Sequence, residues 1–199
     1  MINVKADGWC GWRALAAQLY KNEHDFMVVK ERMLVTARAN SHIYKKYILY
    51  HSDQEYVRLM TSLEYGLTDE TSMERNNFCP MQYWFDGSTM ARVAADAFCR
   101  PVAIFETCNK PCNPPRFILP FSPPIEGAKP APLILHLVGN HFYSLVMKPS
   151  IRVEWPAVPQ YHQQAWHEME VPAHYKTTWR YLHMKKTKPT TQTFYPDIL

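Results

Sequence analysis

The 199 residues are enough for one domain with a full hydrophobic core, and 47% apolar with 20% charged residues are ordinary fractions for a globular protein. This composition argues against a disordered chain, and no apolar run approaches the ~20 residues of a membrane span. The first residues, Met-Ile-Asn-Val-Lys, lack the apolar segment of a secretory signal.

The five cysteines are odd in number and widely spaced, which favours free thiols in a reducing compartment. We therefore expect a cytoplasmic protein. Cys108 and Cys112 are close in sequence, but structural zinc needs four ligands in paired spacing, and even Cys99 would leave the set incomplete. The glycines are dispersed and form no phosphate-binding loop. We predict neither a metal nor a cofactor. The cysteines are Cys10, Cys79, Cys99, Cys108 and Cys112.

Helical periodicity dominates the first half of the chain, with apolar residues recurring at intervals of three and four. Residues 67–80 lose this pattern and predict a loop with one helical turn. The last of these helices, with apolar positions from Met90 to Phe98, has Asp86 or Ser88 as its N-cap. Helices are predicted from Cys10 to about Lys21-Asn22, from about His24-Asp25, once or twice within Ser41 to Tyr65, and after Asp86-Gly87-Ser88.

Strand-like runs dominate the second half. The last two runs flank Gly139-Asn140, and a two-residue loop of this kind predicts a β-hairpin. In that register Val138 faces His141, His136 faces Tyr143, and Ile134 faces Leu145. Helices that precede a late sheet indicate an α+β protein. Strands are predicted at Val102 to Glu106, Arg116 to Leu119, Leu133 to Val138 and His141 to Met147, with a short helix near Gln160 to Met169.

Cys10 stands where a turn meets the first predicted helix. Unpaired amides and the helix dipole at such a position favour the thiolate, which is the nucleophilic form of cysteine. The same amides could hold the oxyanion of an acyl-transfer intermediate. A lone cysteine at a helix start is more often a small buried apolar residue, so a second group is needed to indicate catalysis.

His141 is the histidine best placed to be that second group, because it follows the tight turn of the predicted hairpin. Cysteine-dependent acyl transfer needs an imidazole near the thiol and usually a third group that orients the ring. His136 shares the strand face of His141 and is the alternative base. His24 lies just past the Cys10 helix and could not easily fold back to its start.

The stretch Asp7-Gly8-Trp9-Cys10-Gly11-Trp12-Arg13-Ala14-Leu15 resembles the Asp-Gly-Asn-Cys-Leu-Phe-Arg-Ala signature of the ovarian-tumour (OTU) family of papain-like cysteine peptidases, which are mainly deubiquitinases. The context Asn140-His141-Phe142-Tyr143-Ser144-Leu145-Val146 resembles that of the family's catalytic histidine, and Trp84-Phe85-Asp86-Gly87 its Trp-Gly-Gly element. The resemblance spans about residues 1–148. It implies an α+β papain-like OTU fold, with a mostly antiparallel twisted sheet flanked by helices.

The resemblance implies that Cys10 is the nucleophile and His141 the general base. It also implies that Asp7 shapes the oxyanion loop, whose amides belong to Gly8, Trp9 and Cys10. Trp9, Trp12 and Phe142 would line a narrow cleft near the nucleophile.

The sequence departs from the family pattern at two positions. Trp9 replaces the usual asparagine. Tyr143 occupies the position where an aspartate or asparagine often orients the histidine. Asp7 or Asn140 would then take the third role, with Asp7 favoured, or the enzyme would act as a weak Cys–His dyad.

The substrate implied by the family is the C-terminal glycine of ubiquitin or a ubiquitin-like modifier, joined through a peptide or isopeptide bond. The arginines of that tail would want acidic partners, for which Asp69, Glu70 and Glu74 are candidates. Two alternatives stay open. One is an OTU-like peptidase that processes a viral or mobile-element polyprotein, and the other is a catalytically weak ubiquitin-binding module.

Residues 149–199 form a second segment rich in proline and aromatic residues, either packed on the domain or acting as a linker. Its stretch from Val171 to Pro196 contains no acidic residue. No nucleic-acid-reading motif accompanies this charge, so we expect neither nucleic acid nor a membrane as partner, and we expect a monomer. The basic residues there are Lys176, Arg180, Lys185, Lys186 and Lys188.

Overall fold

A computed structural model describes residues 1–107, 114–122, 131–146 and 156–173. Short 3-10 turns lie at Glu23–Asp25, Ser72–Asn76 and Met81–Tyr83. Within the described ranges, no helix has the length and apolar character needed to cross a membrane. The elements in chain order are α1 (Cys10–Leu19), α2 (Phe26–Ala39), α3 (Ser41–Tyr47), α4 (Asp53–Glu64), α5 (Thr89–Phe98), β1 (Val102–Thr107), β2 (Arg116–Ile118), β3 (Leu133–Val138), β4 (His141–Ser144) and α6 (Gln160–Glu168).

The four strands form one mixed sheet in the order β2-β1-β3-β4. The central pair, β1 and β3, is parallel, and the two outer pairings are antiparallel. One face of this sheet packs against the helices, because alternate strand residues point into the main core. The predicted α+β architecture with a mostly antiparallel sheet is confirmed. The core-facing strand residues are Val102, Ile104, Ile118, Leu133, Leu135 and Phe142.

The hairpin has the predicted register, with Val138 opposite His141 and His136 opposite Tyr143. Strand β4 ends at Ser144, earlier than predicted, and Met147 lies outside the described residues. Ile134 still faces Leu145 as predicted, because the Ile134 carbonyl accepts a hydrogen bond from the Leu145 amide at 2.9 Å. The Ile134 amide, however, donates to the Gln18 carboxamide oxygen at 2.9 Å, and the Gln18 nitrogen donates to the Ile134 carbonyl at 2.5 Å. A side chain therefore replaces one of the two backbone hydrogen bonds of this last pair.

Two helix ends are set by local chemistry. Helix α1 ends at Leu19, short of the predicted boundary, and Lys21 follows with φ +60°, a conformation that does not continue a right-handed helix. At the start of α5 the cap is Asp86, whose carboxylate accepts from the amides of Ser88 at 3.0 Å and Thr89 at 2.6 Å. The Ser88 side chain does not cap the helix.

Helix α6 packs against α3 and against the loop after β2. His162 is 1% exposed, and its Nε2 donates to the Pro120 carbonyl at 3.0 Å. Asp96 of α5 holds the same loop, since its buried carboxylate accepts from the amides of Phe121 at 2.5 Å and Ser122 at 2.9 Å. This part of the C-terminal segment is therefore packed on the body of the domain.

Candidate active site

Two glycines, Gly8 and Gly11, allow the start of α1 to pack closely against neighbouring parts of the chain. Gly8 has φ +79°, and a Cβ there would lie 2.5 Å from the carbonyl oxygen of Cys79. A Cβ at Gly11 would lie 2.4 Å from Cβ of Phe85. Only glycine fits at either position without movement of the neighbouring chain. Cys10, the first residue of α1, lies between these two contacts.

Asp7 stabilises the loop that precedes Cys10. Its buried carboxylate accepts from Arg13 Nη2 at 2.8 Å and Nε at 3.2 Å, and its Oδ1 accepts from the Trp9 amide at 3.1 Å. Its backbone carbonyl accepts from the Cys79 amide at 2.8 Å. A bidentate buried pair of this kind fixes geometry as well as charge. Within the described residues, no hydrogen bond joins Asp7 to His141.

The aromatic residues expected to line the cleft are buried instead. Trp9 and Trp12 are fully buried, and Phe142 is 6% exposed. Trp9 stacks on Tyr65 with ring centroids 5.7 Å apart, whereas both Trp12 and Phe142 contact the edge or face of Phe85. These rings therefore pack in the core beneath Cys10 and do not form the surface of a cleft. Large aromatic side chains find more apolar area in the core than at the mouth of a cleft.

His141 is held by the N-terminal segment. Ile2 pairs with Ser144 through two backbone hydrogen bonds of 2.8 and 3.1 Å, so residues 2–4 run along the outer edge of β4. Asn3 Oδ1 consequently lies 3.2 Å from Nε2 of His141. The Tyr143 ring packs edge-on against the imidazole at 4.5 Å. Asn3 provides a polar side-chain contact to the ring, a hydrogen bond with the Val4 backbone raises the pKa of the imidazole, and Tyr143 provides a packing contact.

The structure brings Cys10 beside the hairpin that carries His141. Its Sγ lies 4.0 Å from the carbonyl oxygen of Asn140, and the Phe142 amide is also near enough to lower the thiol pKa. Asn140 and Phe142 are the two sequence neighbours of His141. Among the described contacts, however, no hydrogen bond joins Sγ to the imidazole. The hairpin faces the thiol, but the ring is engaged by Asn3.

The electrostatics favour neutral groups in this resting arrangement. Burial is the largest effect on Cys10 and raises the pKa of its thiol, and the Asp7 carboxylate raises it further. Burial also lowers the pKa of His141, against smaller opposing effects of the Asp7 carboxylate and of a hydrogen bond with the Val4 backbone. A thiol with a raised pKa and an imidazole with a lowered pKa form a neutral pair at pH 7 rather than a thiolate–imidazolium pair.

Backbone amides are available at the start of α1, which has no side-chain cap. The Trp9 amide, expected in the oxyanion hole, donates to Asp7 instead. The Gly8 amide has no hydrogen-bond acceptor among the described residues, and the Cys10 amide lies near its own thiol, whose pKa it lowers. They remain the candidates to receive a developing oxyanion.

The other residues named from the sequence differ in exposure and in their hydrogen bonds. Asn140 is exposed at the hairpin turn. His136 is 2% exposed and hydrogen-bonded through Nε2 to Thr107 Oγ1 at 2.7 Å. Asp69 and Glu70 are exposed in the segment after Gly66. The Glu74 side chain, Cys108, Cys112 and the basic stretch after residue 173 lie outside the described residues.

Sequence reasoning missed Asn3. No signal in the sequence marks it, because its contact depends on a two-residue bridge between the chain start and β4. The motif contains Arg13 without indicating its partner, which is Asp7, and the spacing of the two residues across a helix start is compatible with such an ion pair.

Among solved structures, the chain is similar to the OTU domain of OTUD1, with 9% identity, 72% of this chain and 82% of that chain covered, and a TM-score of 0.50. It also matches the viral OTU domain protease from Farallon virus, with 21% identity, 72% of this chain and 80% of that chain covered, and a TM-score of 0.44. The match to the viral OTU domain protease from Dera Ghazi Khan virus has 18% identity, covers 70% of this chain and 75% of that chain, and has a TM-score of 0.42. No protein-family model matches the chain. No curated protein is detectably similar in sequence. The likeness to the OTUD1 domain shows that the chain has the OTU fold, as the sequence motifs predicted.

Proposed function

We propose that the chain is an OTU-type cysteine peptidase that hydrolyses the bond after the C-terminal glycine of ubiquitin or a ubiquitin-like modifier. The observation that carries this proposal is the juxtaposition of Cys10, at the uncapped start of α1, with the hairpin of His141. A nucleophile on a helix start and a base on a strand are the two groups that thiol-dependent acyl transfer requires. The OTU fold of the chain is consistent with this assignment.

In the proposed reaction His141 accepts the Cys10 proton, and the thiolate attacks the carbonyl carbon of the terminal glycine. The amides of Gly8 and Cys10 stabilise the oxyanion. His141 then protonates the leaving amine as the carbon–nitrogen bond breaks, which leaves a thioester on Cys10. Water, deprotonated by His141, attacks the thioester and releases the carboxylate and the thiol.

Asn3 is the proposed positioning residue for the imidazole. Its carboxamide oxygen can accept a hydrogen bond from Nε2–H, which leaves the other ring nitrogen to take the thiol proton. Asn3 is neutral, so it orients the ring but stabilises the imidazolium less than a carboxylate would. Asp7 acts on the loop and, more weakly, through its charge on His141.

The test is a ubiquitin probe with a C-terminal electrophile, followed by intact-mass measurement and peptide mapping. We expect one adduct, on Cys10, and none on a Cys10→Ala variant. A Cys99→Ser variant is the matched control, because Cys99 is a half-buried thiol at the far end of α5. A folded wild-type protein that forms no adduct with probes of ubiquitin or ubiquitin-like modifiers contradicts the proposal. Cleavage of a flanking peptide in that case favours the polyprotein-processing alternative.

One observation favours a second candidate, a ubiquitin-binding module without turnover. Cys10 is only 6% exposed and its pKa is raised, so the resting thiol is neither accessible nor ionised. Binding of a ubiquitin-like protein with equal affinity by wild type and Cys10→Ala, together with an absence of turnover, would support that candidate. The two candidates differ in one requirement, since only the peptidase needs the His141 imidazole to move towards the Cys10 thiol when substrate binds.

A further inference from the structure

Lys30 is a charged residue buried in the middle of α2. Its side chain is fully buried, and Nζ donates to the Ser62 carbonyl of α4 at 2.6 Å. An ammonium group has three donors, and this is the one hydrogen bond it makes within the described residues. The remaining space around Nζ is occupied by two aromatic rings rather than by acceptors.

Those two rings belong to the residues that flank the nucleophile. Nζ lies 4.0 Å from the ring centroid of Trp12 and 5.3 Å from that of Trp9. Both distances are within the ~6 Å range in which a cation is attracted to an aromatic face. One ammonium group thus contacts the residue before Cys10 and the residue two positions after it.

Trp9 has further contacts that connect its indole to the loop. Its Nε1 donates to the Asn77 carbonyl at 3.0 Å, and its backbone amide donates to Asp7. The Trp9 indole and the Trp9 amide are therefore both anchored in the loop that lies between the Gly8 and Cys10 amides. Trp9 occupies the position where the OTU signature has a much smaller asparagine, so this loop requires a contact that fixes a large ring.

Burying the Lys30 amine does not favour the folded state. Burial lowers the pKa of Lys30 to about 7, which means that holding the proton in the core costs free energy at neutral pH and below. A methionine of similar length would fill the same space without a charge. The groups that face Nζ are the two indoles, the Ser62 carbonyl and the Cys79 thiol, whose own pKa burial raises to about 12. Cys79 is therefore neutral near pH 7.

We infer that Lys30 is a positioning residue for the oxyanion loop, in which its ammonium group, held by Ser62, fixes the indoles of Trp9 and Trp12 on either side of Cys10. The inference rests on the proposed function for its effect on catalysis. The contact itself is independent of any substrate. Protonated Lys30 holds the indoles, and the neutral amine holds them less strongly because the cation–π attraction is lost.

The test compares wild type with Lys30→Met and with Lys45→Met. Lys45 is a suitable control, since it also lies over an aromatic ring, Tyr56, at 4.9 Å and also makes a hydrogen bond, but on the surface of α3. Lys30→Arg is a third variant that keeps the cation. Tryptophan fluorescence is measured against pH, and kcat and KM are measured with a ubiquitin C-terminal fluorogenic substrate.

We expect the wild-type emission to change with a midpoint of about pH 7, and this transition to be absent in Lys30→Met but present in Lys45→Met. We expect kcat of Lys30→Met to fall about tenfold with KM within about twofold, because a misplaced oxyanion donor weakens transition-state stabilisation more than binding. Partial recovery of kcat in Lys30→Arg supports the role of the cation.

Three results would overturn the inference. One is a wild-type emission without a transition near pH 7, and this result does not depend on the folding of any variant. Another is the same transition in Lys30→Met. The third is an active wild type whose kcat is unchanged in Lys30→Met. If the wild type forms no probe adduct, the proposed function fails, whereas the fluorescence transition still decides whether Lys30 holds the two indoles.

Discussion

Asn3 Oδ1 lies 3.2 Å from Nε2 of His141, although 138 residues separate them in sequence. The contact exists because Ile2 pairs with Ser144 and carries Asn3 along the edge of β4. In a Cys–His centre the group on the far ring nitrogen determines which nitrogen is free to take the thiol proton.

Asn3→Ala should lower kcat/KM by about ten- to a hundredfold, which is less than complete loss of general acid–base catalysis would cost. Asn3→Asp should keep most of the activity and move the acidic limb of the pH–rate profile to higher pH, because a carboxylate raises the pKa of the imidazolium. Steady-state kinetics across pH test both variants. If Asn3→Ala has wild-type kcat/KM and an unchanged pH profile, Asn3 has no positioning role.

The resting thiol should react as an unassisted buried cysteine. Because burial raises the pKa of Cys10 and lowers that of His141, the thiolate fraction is small at neutral pH. The rate of alkylation of Cys10 by iodoacetamide should therefore rise about tenfold per pH unit from about pH 6 to about pH 9. His141→Ala should change this rate less than about twofold while it abolishes turnover. An alkylation rate that is already constant near neutral pH would indicate an ion pair instead.

Gly8→Ala should destabilise the fold and inactivate the site. The residue has φ +79°, which costs a side chain on the order of 1–3 kcal/mol, and the new Cβ would also meet the Cys79 carbonyl at 2.5 Å. Gly139→Ala is the matched control, since Gly139 has φ +58° with no atom within 4 Å of an added Cβ. Urea unfolding should show the larger loss for Gly8→Ala. Equal losses in both variants would mean that the close packing under Gly8 is not rigid.

His162 should make α6 docking sensitive to acid. Burial lowers its pKa to about 4, below the value in the unfolded chain, so its stabilising contribution is present above about pH 6.5 and is lost as the pH falls towards about 4. The pKa of Asp96, raised by burial to about 6, acts in the opposite direction over the same range. The two effects offset each other in the wild type.

Replacing His162 separates these two contributions. At about pH 7.5, His162→Gln should have a lower free energy of unfolding than the wild type. At about pH 4.5 this difference between the two proteins should be smaller by on the order of 2 kcal/mol, because only the wild type then has to keep a buried imidazole neutral. Denaturant unfolding at the two pH values measures this difference. His167→Gln, on the same helix but exposed, should show no such change. A pH-independent difference for His162→Gln would contradict the prediction.

The local features of this protein were determined by the sequence itself. The hairpin around Gly139-Asn140 and its register, the start of α1 at Cys10 and the extent of α6 all follow from turn chemistry and apolar spacing. Such features depend on interactions between residues close in the chain, so the pattern contains the information needed to predict them. The same patterns placed Cys10 at a helix start and His141 after the hairpin turn, whereas their catalytic roles were predicted from the resemblance to the family signature.

Tertiary structure alone decided the partners of those residues. Periodicity predicts which side chains are buried but not which element covers them, so the placement of Trp9 and Trp12 over Lys30 could not be foreseen. The contact of Asn3 with His141 likewise depends on a single bridge, which is too short to leave a sequence pattern. Long-range pairing is selected by the total packing of the chain rather than by any local preference.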